Sequence, residues 1–237
     1  MSAVSELAPT GVLRAGINLS NFLLVSGRTP SGDPVGVAPD MAHAIAQKLG
    51  VPVRYVPFPR PGELADAADA NVWDIALIGA EPARAEKIEF TPPYVEIEAT
   101  YMVPPDSPLQ RVEDVDRDGV RIAVAERSAY GLWLERNLRH AQLIQAPTLD
   151  GSFDLFASQK LEALAGLLPK LLEDVQKLPG ARILPGRFTA VQQAVGTLRR
   201  NVEGAAFLRG FVAEAKASGF VAGLIAQHGV KGLSVAQ

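Results

Sequence analysis

The 237-residue sequence has no cysteine, which excludes disulfides, a thiolate nucleophile and a cysteine-ligated metal site. Its three histidines, His43, His140 and His228, are scattered and lack metal-ligand spacing, so no metal and no cofactor is expected. No apolar run approaches the roughly 20 residues of a membrane span, so membrane insertion is not expected. A net charge of −3 leaves no basic footprint for nucleic acid or anionic lipid. Gly-x-Ser-x-Gly, P-loop and Gly-x-Gly-x-x-Gly motifs are missing, so there is no standard nucleophile elbow or phosphate cradle. What is present is an ordinary globular composition, 48% hydrophobic, in a chain long enough for one large domain or two small lobes.

Apolar strand-like runs alternate with helical patterns. The pattern predicts strands at 12–17, 52–57 and 74–79 and helices at 40–49, 62–70 and 82–87. In the first helix Met41, Ala44, Ile45 and Leu49 share one face of a 3.6-residue period, with Asp40 as N-cap and Gly50 as stop. A second series follows the breaker-rich Pro104-Pro105-Asp106-Ser107-Pro108. It predicts strands at 120–125, 142–146, 161–166 and 181–185, with helices at 129–139, 152–158 and 169–177. Two such series suggest two α/β lobes. Phe207, Leu208, Phe211, Val212 and Ala215 give the C-terminal helices an apolar stripe. Trp73 and Trp133 fit core or half-buried packing, and the acidic pairs Glu113-Asp114 and Asp116-Asp118 fit a solvated surface.

The stretch 71–94 carries the most chemistry. A buried-type strand from Asp74 to Gly79 runs into a helix start at Glu81-Pro82, with Arg84 in the first turn. Free N–H groups and a guanidinium fork together suit a carboxylate.

This stretch resembles the family 3 extracellular solute-binding proteins of ABC transporters, the polar amino-acid binders. Their pattern continues as acidic-Phe-Ser/Thr-x-Pro-Tyr, and here Glu89-Phe90-Thr91-Pro92-Pro93-Tyr94 is similar to it. Val12 to Gly16, Gly36 to Met41, Gln47 to Gly50 and Lys216 to Phe220 extend the resemblance over nearly the whole chain. It implies a two-lobe, periplasmic-binding-protein-like (type II) α/β fold. Each lobe would be a βα sandwich on a mostly parallel sheet, with two crossover strands as hinge. The crossings fall near Thr100–Pro104 and Arg187–Thr197, giving lobe 1 as 1–103 plus 190–237 and lobe 2 as 104–189.

Ligands of open α/β sheets bind beyond the carboxyl ends of the strands. That rule selects the loop of Asn18, Ser20 and Phe22, whose alternative is an ordinary turn. It selects Arg60, whose alternative is a solvated arginine, and Gly79, Glu81 and Arg84. The resemblance implies that Arg84 clamps a ligand carboxylate. Glu81 stands where the family has a small hydroxyl residue; it could neutralise Arg84 or face a cation on the ligand. In the second series Ser128 can cap a helix and donate, while Ala129 lacks the family's hydroxyl and Tyr130 is a candidate wall. Leu167 or Leu168 replaces the Asp that pairs with an α-ammonium in amino-acid binders. Gln192 and Gln193 add polar contacts or form a hinge pair.

The expected function is non-catalytic binding of a small carboxylate-bearing metabolite in an interlobe cleft, by a monomer with an ABC transporter permease as possible partner. The alternatives are a cyclohexadienyl dehydratase-like enzyme, with Glu81 or Glu126 as general acid, and a cytoplasmic ligand sensor. The family implies export, yet Met1 to Glu6 has no basic or apolar signal region. The expected location is periplasmic if a signal peptide was trimmed, and otherwise cytoplasmic.

Overall fold

The computed structural model describes residues 2–237. Its contacts divide the chain into two compact units, one running up to Glu96 and resuming at Gln192–Gln237, the other Ile97–Val191. The first unit contains α1 (Ala3–Leu7), β1 (Leu13–Asn18), a ribbon of β2 (Gly27–Arg28) and β3 (Pro34–Val35), α2 (Val37–Leu49), β4 (Val53–Phe58), α3 (Pro61–Asp66), β5 (Ile75–Gly79), α4 (Pro82–Ala85) and β6 (Ile88–Phe90). β7 (Val95–Val103) carries the chain into the second unit. There follow β8 (Arg121–Ala125), α5 (Ala129–Asn137), β9 (Gln142–Ala146), α6 (Leu149–Ser158), β10 (Ala163–Leu167), α7 (Leu168–Asp174) and β11 (Arg182–Ile183). β12 (Thr189–Leu198) returns, and α8 (Val202–Ala217), α9 (Phe220–Gln227) and β13 (Ser234–Val235) complete the first unit.

Each unit repeats one plan. In the first, β4, β1 and β5 are parallel neighbours and β12 lies antiparallel to β5. In the second, β9, β8 and β10 are parallel and β7 lies antiparallel to β10. The inner parallel strands are covered on both faces, so β1, β5 and β10 are buried along their whole length. Small residues let helices approach these strands. A Cβ on Gly16 of β1 would sit 2.4 Å from Leu64 of α3, and one on Gly166 of β10 would sit 2.9 Å from Leu171 of α7. Leu64 and Trp73 belong to the first unit's core, with Ile78 and Ile88. Leu171 belongs to the second's, with Met102, Phe156 and Leu164.

At the amino ends of β1 and β5 a buried ion pair fixes the strands' relation. Arg14 Nη2 donates to Asp74 Oδ1 at 2.6 Å and Nε to Oδ2 at 3.0 Å, while the Arg14 backbone N–H reaches Oδ2 at 2.8 Å. This geometry offsets the desolvation of both charges.

Several elements depart from the sequence pattern. Helix α2 starts before Asp40, at Val37, with Gly36 as N-cap. Gly36 has φ 148°, and a Cβ there would sit 2.3 Å from the Leu24 carbonyl oxygen, so the backbone passes where only glycine fits. Asp40 instead lies in the first turn and meets His228 Nε2 at 2.7 Å. Gly50 does stop the helix, in a left-handed conformation. Ala44 is half-buried, while Ala42 and Ala46 join the buried face. Helix α6 begins earlier than 152, because the Thr148 hydroxyl caps Gly151 N–H at 2.9 Å. Helix α4 is a single turn that contains Arg84, so its dipole contributes little. The extended crossings are the two long strands β7 and β12.

The acidic pairs are not merely solvated. Asp114 is largely covered and accepts the Gln110 and Arg111 backbone N–H groups, which hold its pKa below the ordinary carboxylate value. Asp116 gathers the N–H groups of Arg139, His140 and Ala141. Burial opposes its ionisation, but those three donors still lower its pKa. Trp73 is buried and donates to the Leu64 carbonyl, and half-buried Trp133 packs on Phe188.

Candidate ligand-binding site

The strand register gathers the first unit's candidate residues on one sheet edge. Asn18 ends β1 opposite Phe58, the last residue of β4. Gly79 ends β5 and pairs with Gln193 of β12. Arg60 follows β4 as N-cap of α3, and Glu81 follows β5 as N-cap of α4.

Arg84 is 6% exposed, and its Nη1–H donates to the Gly79 carbonyl at 2.7 Å. The single-turn helix aims the side chain back at the strand end it follows. This is not its only interaction, and Glu81 is likewise buried and engaged. The Glu81 backbone carbonyl accepts the N–H groups of both Arg84 and Ala85, which closes the turn.

Asn18 Oδ1 accepts the Ser20 hydroxyl at 2.8 Å and the Ser20 N–H at 3.2 Å. That is the turn reading of this loop, and it spends the Ser20 hydroxyl locally. The Asn18 amide nitrogen has no acceptor among the described residues, and Gln193 is buried with no side-chain hydrogen bond among them. Phe22 is half-buried in the same loop. Arg60 pairs with Glu63 at 2.7 Å, both about two-fifths exposed, so part of its charge serves a surface pair.

The second unit has its own strand-end residues. Ser128 caps α5: its Oγ accepts Gly131 N–H at 3.0 Å and its hydroxyl donates to the Ala125 carbonyl at 2.7 Å. A Cβ on Gly131 would sit 2.8 Å from that Oγ, so a larger residue would crowd the cap. Tyr130 is buried beside it and its hydroxyl has no partner in hydrogen-bonding geometry. Burial pushes its pKa up to about 12, although the Ser128 hydroxyl and the Ala125 backbone oppose the rise. Leu167 ends β10 as the N-cap of α7 and makes no side-chain cap bond.

Sequence reasoning missed an ion cluster at this edge. Lys170 meets Asp174 at 2.6 Å and Asp150 at 2.9 Å, and Lys177 meets Asp174 at 2.7 Å. Burial opposes the Lys170 charge, but the two aspartates raise its pKa overall. The i,i+4 and i,i+3 spacing of Lys170, Asp174 and Lys177 was a readable signal; the contribution of Asp150 from another helix was not.

The architecture is the mixed α/β periplasmic-binding-protein type II fold. It is similar to the ancestral amino acid-binding protein AncCDT-1, a precursor of cyclohexadienyl dehydratase, with TM-score 0.75 and 21% identity, covering 97% of this chain and 100% of that one. An amino acid ABC transporter substrate-binding protein from Streptococcus pneumoniae, bound to L-arginine, gives TM-score 0.74 at 19% identity over 100% of both chains. The chain belongs to the bacterial extracellular solute-binding proteins, family 3, whose pattern it matches over residues 17–230. A cyclohexadienyl dehydratase from Pseudomonas aeruginosa is 27% identical over 174 residues. That match spans 68% of this chain but only 64% of the relative's length. Among the described residues, no helix is long and apolar enough to cross a membrane.

Proposed function

We propose that this chain binds a small carboxylate-bearing metabolite, an amino acid or related organic acid, without transforming it. The role would be that of the solute-binding component of an ABC transporter. The observation that carries this reading is Arg84, a buried guanidinium tethered by a strand-end carbonyl on the edge that also presents Asn18 and Gln193. A planar cationic fork beside two amide side chains matches a carboxylate with one more polar group. Family membership and the likeness to an L-arginine-bound transporter protein support the same reading.

The test is a thermal-shift screen of wild type and Arg84→Ala against amino acids, dicarboxylates, keto acids and aromatic acids. A ligand at a hundredfold excess over its dissociation constant stabilises by about 2.7 kcal/mol, enough to raise the midpoint. The expected hit is lost in Arg84→Ala. A hit indifferent to Arg84, or no hit, would overturn the reading.

A second reading is favoured by the dehydratase relative. Under it Glu81 or Glu126 would serve as general acid for the loss of water and carbon dioxide from prephenate. Incubation with prephenate that releases no phenylpyruvate above the blank disposes of it.

A further inference from the structure

The first unit holds a polar cavity at the end of its sheet opposite Asn18, Gly79 and Arg84. Its volume is about 350 Å³, and its walls come from α1, the turn before β5, the end of β12 and the start of α8. All of these segments belong to the one unit. Asp74 in the wall precedes β5 and Gly79 ends that strand, so roughly 16 Å of backbone separates the cavity from the candidate site.

The charges around this cavity are not balanced where they stand. Asp74 is spent, because Arg14 holds both of its carboxylate oxygens. Glu6 is only half spent: its Oε2 accepts the Gly204 N–H at 2.8 Å, and its Oε1 has no donor among the described residues. Arg200 lines the same cavity, is exposed, and makes no hydrogen bond or ion pair among the described residues. Glu6 and Arg200 thus share a cavity without meeting each other. Asn201 is 8% exposed, and its Nδ2 donates to the Thr197 hydroxyl at 2.9 Å, which leaves Oδ1 as an acceptor. Asn71 gives its carbonyl and its Oδ1 to Arg14, which leaves Nδ2 as a donor.

An anion placed here would gain Arg200 and be repelled by Glu6, and a cation would meet the reverse. A ligand that carries both charges on neighbouring atoms escapes both penalties. We infer that this cavity is a separate ligand site for a small zwitterion of the amino-acid type. Arg200 and Asn71 Nδ2 take its carboxylate, and Glu6 Oε1 and Asn201 Oδ1 take its ammonium. Buried Leu198 supplies an apolar wall. The site is independent of Arg84 and uses no residue of the second unit.

The experiment is an NMR titration of backbone amide shifts in wild type, Arg84→Ala, Arg200→Ala and Glu6→Gln. The probes are alanine, propionate and ethylamine, then serine, 3-hydroxypropionate and ethanolamine. Each set offers a zwitterion, its carboxylate half and its ammonium half. Glu6→Gln keeps an oxygen for the Gly204 N–H, and Arg200 has no bond to lose, so both variants should fold. The expected result is saturable shifts around Glu6, Asn71 and residues 201–204 with the amino acids, unchanged in Arg84→Ala. Each half-ligand should bind at least tenfold more weakly, and so should the amino acid to Arg200→Ala or Glu6→Gln. Absence of those shifts at roughly 10 mM amino acid, enough to fill a millimolar site, would overturn the inference and leave the Arg84 reading untouched. Propionate or ethylamine binding as tightly as alanine would also overturn it, reducing the cavity to a site for one charge. Shifts lost in Arg84→Ala would assign the binding to the candidate site at the other end of the sheet and overturn it too.

Discussion

The two units share a strand plan and differ in what stands at its carboxyl edge. Both set three parallel strands beside an antiparallel fourth, and both seat a helix leucine on a strand glycine: Leu64 of α3 on Gly16 and Leu171 of α7 on Gly166. In the first unit the edge carries Arg84, buried and tethered to the Gly79 carbonyl among its interactions. In the second the cations Lys170 and Lys177 are bound to aspartates, and the unspent group is a neutral phenol. The same scaffold thus separates two tasks. One edge carries a buried guanidinium, and the other spends its charges on joining the helices that frame it.

The largest effects should come from breaking the charged elements on each side. Arg84→Ala should weaken carboxylate binding by a hundredfold or more, since truncating one partner of a desolvated charge pair costs about 2–5 kcal/mol. Arg84→Lys should recover little, because a point charge does not reproduce a planar fork. Titration calorimetry on both variants decides the matter. In the second unit Asp174→Asn should leave binding chemistry in place but lower stability by about 3 kcal/mol, because Lys170, only 12% exposed at its side chain, loses its main counter-charge. Urea denaturation measures it. A loss below 1 kcal/mol would mean that Asp150 alone compensates Lys170.

Acid should separate the units next. Asp114, Asp116, Asp150 and Glu162, all in the second unit, have pKa values lowered by hydrogen bonds and neighbouring cations. A carboxylate whose folded pKa lies below its unfolded value contributes stability above the unfolded value. That contribution is lost as pH falls through the folded one. Below pH about 4, hydrogen exchange over residues 97–191 should therefore rise before exchange in the first unit's strands. Simultaneous loss would show that the units unfold as one.

Much of the architecture was legible because buried parallel strands and amphipathic helices leave strong periodic signals. β1, β5, β8 and β10 all fall within about two residues of the expected runs. What escaped depended on long-range contacts. The start of α2 at Gly36 is dictated by the Leu24 carbonyl, which no local pattern announces. Arg14 reaches across to Asp74, Asp150 to Lys170, and Asp116 to three N–H groups between Arg139 and Ala141. For the site, residue types and strand ends were readable, as at Asn18, Gly79, Arg84 and Ser128. Which of their polar atoms are already spent was not, as the local bond from Ser20 to Asn18 shows.

Gly131→Ala tests the second edge more gently. The added methyl would crowd the Ser128 Oγ and lie 3.0 Å from the Ala125 carbonyl oxygen. Losing that cap should cost about 1 kcal/mol, read by urea denaturation. An unchanged midpoint would mean that the cap shifts without loss.

The smallest effect is the sharpest control on the comparison. Tyr94 in the first unit is, like Tyr130, fully buried with a partnerless hydroxyl, and burial alone pushes its pKa up. It differs in its surroundings: its backbone is bound to Gln193 and Ala236, and no charged group acts on its phenol. Tyr94→Phe should therefore leave affinity untouched and stability unchanged or raised by up to about 1 kcal/mol, since an unsatisfied hydroxyl is removed and the ring remains. Paired urea denaturation and titration calorimetry of Tyr94→Phe and Tyr130→Phe check this directly. A drop in stability for Tyr94→Phe would place a buried water on its hydroxyl. Equal stability changes in the two variants would mean that the groups around Tyr130 do not distinguish its hydroxyl from that of Tyr94.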